Sequence, residues 1–319
     1  MFHFNSPWSN LFGRFLIGPH GMMFLKLSYS LKKGIFLMLS ASAFYLIVNA
    51  LASQLHLPIV QILFLQNLIA LCCMIPVIRK KENFFQFTHW KLHLIRDISG
   101  LICYYFIFLA LKTTDLLDVT TLHYTSPFFV PFISFFWLRE HFSHHVWWSI
   151  GLGFIGIIVI LNPAWDVFHA GALIALLGAL SGAIALSAVR HLVLKGEAVE
   201  RILFYLFAFS SFAMLPFALA NWIYPTPTEW GFVLMIGLSA VANQMLLTKS
   251  FSFAPAYYLA PVAYSSIIYA ALFNCLIFKV PIGLRSIIGS LFIIVGGSLT
   301  YMLGKKEAPQ ILSPGKNSS

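Results

Sequence analysis

Two clusters of aromatic and hydroxyl side chains stand 140 residues apart in this chain: Tyr124-Thr125-Ser126 and Tyr264-Ser265-Ser266. A tyrosine offers a flat face for stacking and a hydroxyl for orientation. The neighbouring Ser and Thr hydroxyls can bond a polar, largely uncharged head, and flanking Phe128, Phe129 and Ile267 suit an apolar portion. Both clusters lie in apolar stretches. There, hydroxyls either contact a solute or serve as glue between helices, and the recurrence of the triplet favours solute contact. Two amide pairs, Gln66-Asn67 and Asn243-Gln244, and Tyr104 lie equally deep in apolar runs. They are candidates to line the same cavity, although single amides in a bundle also bond across helices.

Asp118 and His123 precede the first triplet. Ionisable groups at membrane depth are costly and are functional candidates by default, so both are candidates for proton coupling. Asp118 lies within a turn of the start of its run, where capping the helix is an equal reading. At 1.5 Å per residue His123 is about 9 Å deep, beyond the reach of capping; it is either a hydrogen-bonded core histidine or a proton relay. Arg96 and Asp97 open another run; they either pair with each other or anchor the membrane interface, and anchoring is the plainer reading.

Other chemistries find little support. The link His141-Phe142-Ser143-His144-His145 offers no third ligand and no oriented second shell for a metal. No HExxH, phosphate-binding glycine loop or Ser-His-Asp pattern is present, so neither a cofactor nor a metal is expected. Cys72, Cys73, Cys103 and Cys275 all sit in apolar runs without ligand spacing.

These residues need elements to hold them, and the composition says which kind. The chain has 319 residues, 60% hydrophobic and 9% charged, against about 25% charged in soluble domains. That marks a polytopic membrane protein. Runs of about 20 apolar residues, enough to cross roughly 30 Å of hydrocarbon as helices, fall at 33–52, 58–78, 95–112, 117–138, 145–162, 169–190, 202–222, 229–249, 255–278 and 283–303. With the N-terminus inside, 17 of the 20 Lys and Arg fall in inner segments and only Lys112, Lys279 and Arg285 in outer ones. The positive-inside rule then puts both termini in the cytoplasm. The net charge of +10 reports topology and not nucleic-acid binding. Residues 1–31, broken by Gly18, Pro19 and Gly21, read as a cytoplasmic arm without a signal-peptide pattern, and residues 305–319 as a disordered cytoplasmic tail.

The 140-residue shift extends beyond the triplets. It lays Arg139 over Lys279 and Gly156 over Gly296, so the fourth and fifth runs match the ninth and tenth. Five is odd, so two consecutive five-span halves must be oppositely oriented. Inverted repeats place a solute site near the midplane and work by rocking one half against the other. The expected fold is an all-α integral membrane protein of ten transmembrane helices in a 5+5 inverted repeat, with halves at 32–163 and 164–304.

The stretch 96–163, with Arg96, Gly100, Ala110-Leu111, Asp118, Thr120, Tyr124-Thr125-Ser126-Pro127, Leu138, Glu140, Trp148, Gly153, Gly156 and Leu161 with Pro163, resembles the first half of EamA-type carriers of the drug/metabolite transporter superfamily. The resemblance runs from about 32 to 303. It implies a ten-helix inverted repeat with spans 4 and 9 along a central cavity. The nearest likeness is to the branch with bacterial S-adenosylmethionine uptake carriers. That branch usually has an Arg before an Asn in span 2, where this chain has Gln66-Asn67.

Together these readings predict a secondary transporter of the bacterial inner membrane, not an enzyme, moving a small metabolite by alternating access. The metabolite would be an amino-acid derivative, a nucleoside or an S-adenosylmethionine-like molecule. The partners are that solute and the lipid bilayer, without nucleic acid; a homodimer is compatible. The alternatives are a polytopic membrane enzyme, which would need a catalytic cluster at one face, and a non-transporting interaction protein, which would not need matched triplets.

Overall fold

A computed structural model describes residues 19–79, 89–126, 128–129, 133, 144–161, 170–253, 259, 262–279 and 281–307. The described residues form helices, turns and links and contain no strand. In hydrocarbon every backbone N–H and C=O must be satisfied within the segment, and the α-helix does this for a single run.

Ten helices are defined among the described residues: α1 (Pro19–Gln54), α2 (Ile59–Ile78), α3 (Trp90–Ala110), α4 (Leu116–His123), α5 (His144–Leu161), α6 (Ala170–Leu194), α7 (Val199–Ala220), α8 (Pro227–Phe253), α9 (Ser265–Leu276) and α10 (Leu284–Glu307). Six segments among them are long and apolar enough to cross a membrane: Leu31–Gln54, Ile59–Ile78, Trp90–Ala110, Ala170–Val189, Val199–Ala220 and Pro227–Ser250. Shorter apolar helices lie at Ile150–Ile160, Ser265–Leu276 and Leu284–Leu299.

Several boundaries differ from the sequence expectation, α3 starting at Trp90 against 95 and α9 at Ser265 against 255, with much of 254–261 outside the described residues. Helix α1 begins at Pro19, inside the expected arm. Proline is tolerated in a helix's first turn, where its missing N–H would have no partner anyway. Helix α10 runs to Glu307, past the expected start of the tail. Helix α4 ends at His123; after a turn at 124–125, residues 126, 128, 129 and 133 are helical again, and the rest of the expected run to 138 lies outside the described residues. Pro131 and Arg139 lie outside the described residues, as does the expected tail beyond 307.

The principal packing pairs are α1 with α8, α3 with α6, α2 with α7, α5 with α10, and α4 with α9; α2–α8, α3–α7, α1–α9 and α4–α6 also touch. Adding five to each helix of the first half, and subtracting five from each of the second, maps every one of these pairs onto another or onto itself. The α5–α10 pair meets at glycines. A Cβ at Gly156 would come 2.7 Å from the Gly289 carbonyl oxygen and 2.8 Å from Ile293 Cγ1, so only a residue without a side chain allows this approach. Outward faces remain apolar, with Phe212, Leu272, Leu276 and Leu291 exposed, a pattern that suits lipid and not water.

Candidate functional site

Helix α4 stops where the first triplet begins. Tyr124 and Thr125 form a turn, and the cause lies in the next residues. Pro127 has no N–H to give the His123 carbonyl four residues back. The Ser126 hydroxyl donates to that carbonyl instead, at 2.7 Å. Thr125 Oγ1 likewise donates to the Leu122 carbonyl at 2.6 Å. These two hydroxyls therefore repair the broken helix. Pro127 itself lies outside the described residues. The second triplet sits at a matching break, with Tyr264 in a turn that immediately precedes α9.

The two triplets meet face to face. Tyr124 Oη and Ser266 Oγ share a hydrogen bond of 2.7 Å, and the rings of Tyr124 and Tyr264 are 5.9 Å apart at 56°. Tyr264, Thr125 and Ser266 are fully buried. Ser265 Oγ has no hydrogen-bond partner among the described residues. Phe128 and Ile267 belong to the apolar core beside them, and Phe129 stands edge-on to Phe154 at 6.0 Å. The triplets thus close the α4–α9 crossing in this conformation, where the sequence had them lining an open space.

Helix α1 adds residues that sequence reasoning missed. The Tyr45 ring stacks on His123 at 5.2 Å and 19° and stands edge-on to Tyr124 at 5.8 Å. Ser42, Tyr45 and Asn49 are all buried. Their spacing of three and four is the signal, since it gathers the polar groups of an apolar helix onto one face. His123 Nδ1 also lies 4.0 Å from Cys103 Sγ on α3. His123 is therefore held in an aromatic stack. Asp118 occupies the first turn of α4, half-buried.

The remaining predicted residues gather around a small cavity. Gln66, Asn67, Gly100, Tyr104, Ala240 and Gln244 line it, with Leu101, Leu206, Phe207 and Ser210. Its enclosed space is about 10 Å³, about the room of one water molecule. Gln244 Nε2 donates to Tyr104 Oη at 2.9 Å, and Asn67 Nδ2 to its own helix at Leu63 O, 2.7 Å away. Gln66 Oε1 is buried without a hydrogen-bond partner among the described residues. Asn243 does not line the cavity: its Nδ2 donates to the Ala41 carbonyl at 2.8 Å and ties α8 to α1, the packing role open to a lone amide.

Residues related by the 140-residue shift meet here. Tyr104 bonds Gln244, Tyr124 faces Tyr264, and Gly100 and Ala240 share the cavity wall. In a two-fold arrangement, a residue can touch its own counterpart only at the axis.

Two clasps tie together segments far apart in the chain. In one, Gln61 grips the backbone of Ile223, Nε2 donating to its carbonyl at 2.7 Å and Oε1 accepting from its N–H at 3.1 Å. Close by, Lys112 Nζ donates to the Leu55 carbonyl. In the other, Glu197, in the α6–α7 link, accepts from Arg201 at 2.8 Å. Its second oxygen lies 3.6 Å from His93 Nε2 on α3. Arg96, expected at the interface, is buried within the bundle at 6% exposure. Interface anchoring does not describe it.

No group of three or more His, Cys, Asp or Glu among the described residues could hold a metal. His141 lies outside the described residues.

The EamA-like transporter family profile matches residues 32–162 and again 169–302. The chain belongs to this family. A pseudopaline exporter, CntI, of Pseudomonas aeruginosa strain UCBPP-PA14 is 29% identical over 272 residues, covering 83% of this chain and 94% of the relative. An S-adenosylmethionine uptake transporter of Rickettsia bellii is 26% identical over 199 residues, 62% and 68% of the two chains. A riboflavin transporter of Vibrio cholerae is 27% identical over 257 residues, 77% and 85%. A solved crystal structure covers 88% of this chain and 99% of its own at TM-score 0.62 and 16% identity, a likeness of fold. The resemblance read from residues 96–163 is borne out. This EamA-family chain is a multi-pass membrane transporter, and its named relatives are transporters and not enzymes.

Proposed function

We propose that the chain is a secondary carrier of the bacterial inner membrane that moves a small metabolite by alternating access. The observation that carries this is the meeting of repeat-related residues, Tyr104 with Gln244 and Tyr124 with Tyr264. It supports a five-plus-five inverted repeat, with halves at 32–163 and 164–304 and a two-fold axis through the cavity. The packing pairs, which exchange among themselves when the halves are swapped, support the same arrangement.

The two clasps supply a mechanism. Gln61 begins α2 and His93 begins α3. Because consecutive spans run in opposite directions, these clasps close opposite ends. With both closed the cavity is too small for a metabolite. Opening one end while the other stays closed widens the cavity towards one side only, which is alternating access. The Tyr124–Ser266 contact sits between α4 and α9, one from each half. Its hydroxyls and rings become solute contacts when the halves part. The relatives' printed solutes, S-adenosylmethionine, riboflavin and pseudopaline, support a polar organic metabolite: an amino-acid derivative, a nucleoside or an S-adenosylmethionine-like molecule.

The deciding experiment is flux into proteoliposomes of purified protein, with labelled S-adenosylmethionine, riboflavin and a nucleoside supplied with and without a proton gradient. Saturable uptake of one of them is the expected result; equal leak in protein-free vesicles for all three would remove the reading. Orientation is tested separately. Single cysteines at Pro227 and Lys316, in a background freed of the native cysteines, are expected to react with an impermeant thiol reagent from opposite sides of the membrane. Reaction from one side would contradict the 17:3 basic asymmetry.

A further inference from the structure

Arg96 is six residues into α3, about 9 Å from its start at 1.5 Å per residue. An arginine at that depth ordinarily snorkels to the nearer interface. Helical side chains also lean towards the N-terminus, which here is the same direction. Arg96 does the opposite. Its Nη1 lies against Gly100, one turn deeper, with Leu206 Cδ1 on the same side of that glycine. Gly100 and Leu206 both line the cavity. The guanidinium is thus turned inward, to the edge of the space ringed by Gln66, Asn67, Tyr104 and Gln244.

The neighbouring Asp97 carboxylate acts on it through space, but no described group meets its hydrogen-bonding needs. The guanidinium makes no hydrogen bond or ion pair with any described residue, and its Nε is buried without a partner. Asp97 is the chain neighbour, about 100° round the helix, and its Oδ1 is likewise buried and unbonded. The one carboxylate clasped nearby, Glu197, is already shared by Arg201 and His93. A buried guanidinium without a hydrogen-bonded partner costs several kcal/mol, and an anion entering the cavity would recover that cost. The planar fork matches a carboxylate with two parallel bonds.

We infer that Arg96 anchors a carboxylate of the transported solute at the edge of the cavity lined by Gly100, Gln66, Asn67, Tyr104 and Gln244. This rests on the carrier reading above and narrows its substrate to a molecule with a carboxylate on an otherwise polar or aromatic body. The small residue at Gly100 is what admits the guanidinium, since a Cβ there would collide with Nη1.

The test uses purified full-length protein in detergent at constant chloride. The thermal unfolding midpoint is followed against 3-phenylpropionate and its neutral isostere 3-phenylpropionamide. The acid is expected to stabilise with an apparent affinity at least about tenfold above the amide's, the scale of a charge-assisted bidentate contact. Arg96→Gln is expected to erase that preference. A merely structural arginine would lower the ligand-free midpoint on Arg96→Gln and leave the acid preference of the folded protein unchanged. Arg96→Lys keeps a reduced preference. Gly100→Ala displaces the guanidinium while keeping its charge, and is expected to weaken the acid several-fold even if Arg96→Gln fails to fold. Equal effects of acid and amide on the wild-type protein overturn the inference, as does a preference that survives Arg96→Gln. If the acid preference is present but no solute crosses proteoliposomes, the carrier reading fails and the anion site stands. If flux is present and blind to the carboxylate, the site fails and the carrier stands.

Discussion

Tyr124→Ala is expected to reduce solute flux to less than about a tenth of the wild-type rate per inserted protein, and Tyr124→Phe only several-fold. The ring of Tyr124 touches Tyr45, His123 and Tyr264, so alanine removes an aromatic body shared by α1, α4 and α9. Truncating a core aromatic costs about 3–5 kcal/mol, which is enough to reset the balance between states of a bundle that must open. Phenylalanine keeps the ring and removes only the bond to Ser266, about 1 kcal/mol plus the cost of leaving Ser266 Oγ unpaired. Ser266→Ala is expected to match Tyr124→Phe. The double variant is expected to be little worse than either, because the two hydroxyls serve one contact. Strictly additive losses would show that the hydroxyls act separately. A Tyr124→Ala protein that inserts normally and transports at the wild-type rate would place the triplets away from the moving interface.

The second large effect is at the opposite clasp. Glu197→Ala is expected to lower stability by roughly 3 kcal/mol and to leave the α3–α6 end of the bundle open. The Glu197 side chain is 3% exposed and holds Arg201 at 2.8 Å while facing His93 at 3.6 Å. Removing one partner of a buried pair leaves a cation uncompensated, at a typical cost of about 3–5 kcal/mol. Arg201 is 18% exposed, so partial rehydration brings the expectation to the lower end. Two measurements check it: the thermal midpoint, and thiol labelling of a cysteine placed at Ala240 in the cavity wall. Labelling from the clasp end is expected to accelerate several-fold. A lower midpoint with unchanged labelling would make Glu197 a structural support and not a gate. Unchanged values of both would mean that water already compensates the pair.

What could be read from the chain and what could not separate along a physical line. The six long crossings were legible, and observed and expected ends differ by at most five residues. Hydrocarbon forces a run of about 20 apolar residues into a helix whatever surrounds it. The matched triplets were legible too, because a repeat leaves its period in the order of residues. The stop at Tyr124 was half legible. The prolines announced a break, but the use of Ser126 and Thr125 to repair it depended on local geometry that only the folded backbone presents.

The direction in which each helix turns its side chains was decided by the tertiary structure. Asn243 and Gln244 are adjacent and alike, yet one ties α8 to the Ala41 carbonyl and the other meets Tyr104. Gln61 was unremarked in the sequence and proves to be a two-bond clasp on Ile223. Arg96 reads as an interface residue by position and is turned inward over Gly100. In each case the deciding partner is a neighbouring helix or a gap in its own wall. The sequence by itself determined which six segments are long and apolar enough to cross a membrane as helices, and it carries the family profile twice. The rotation of each helix about its axis follows from how side-chain ridges of helices far apart in the chain interlock. That contact between distant segments settles which polar groups share a cavity, which close an end, and which only hold the bundle together.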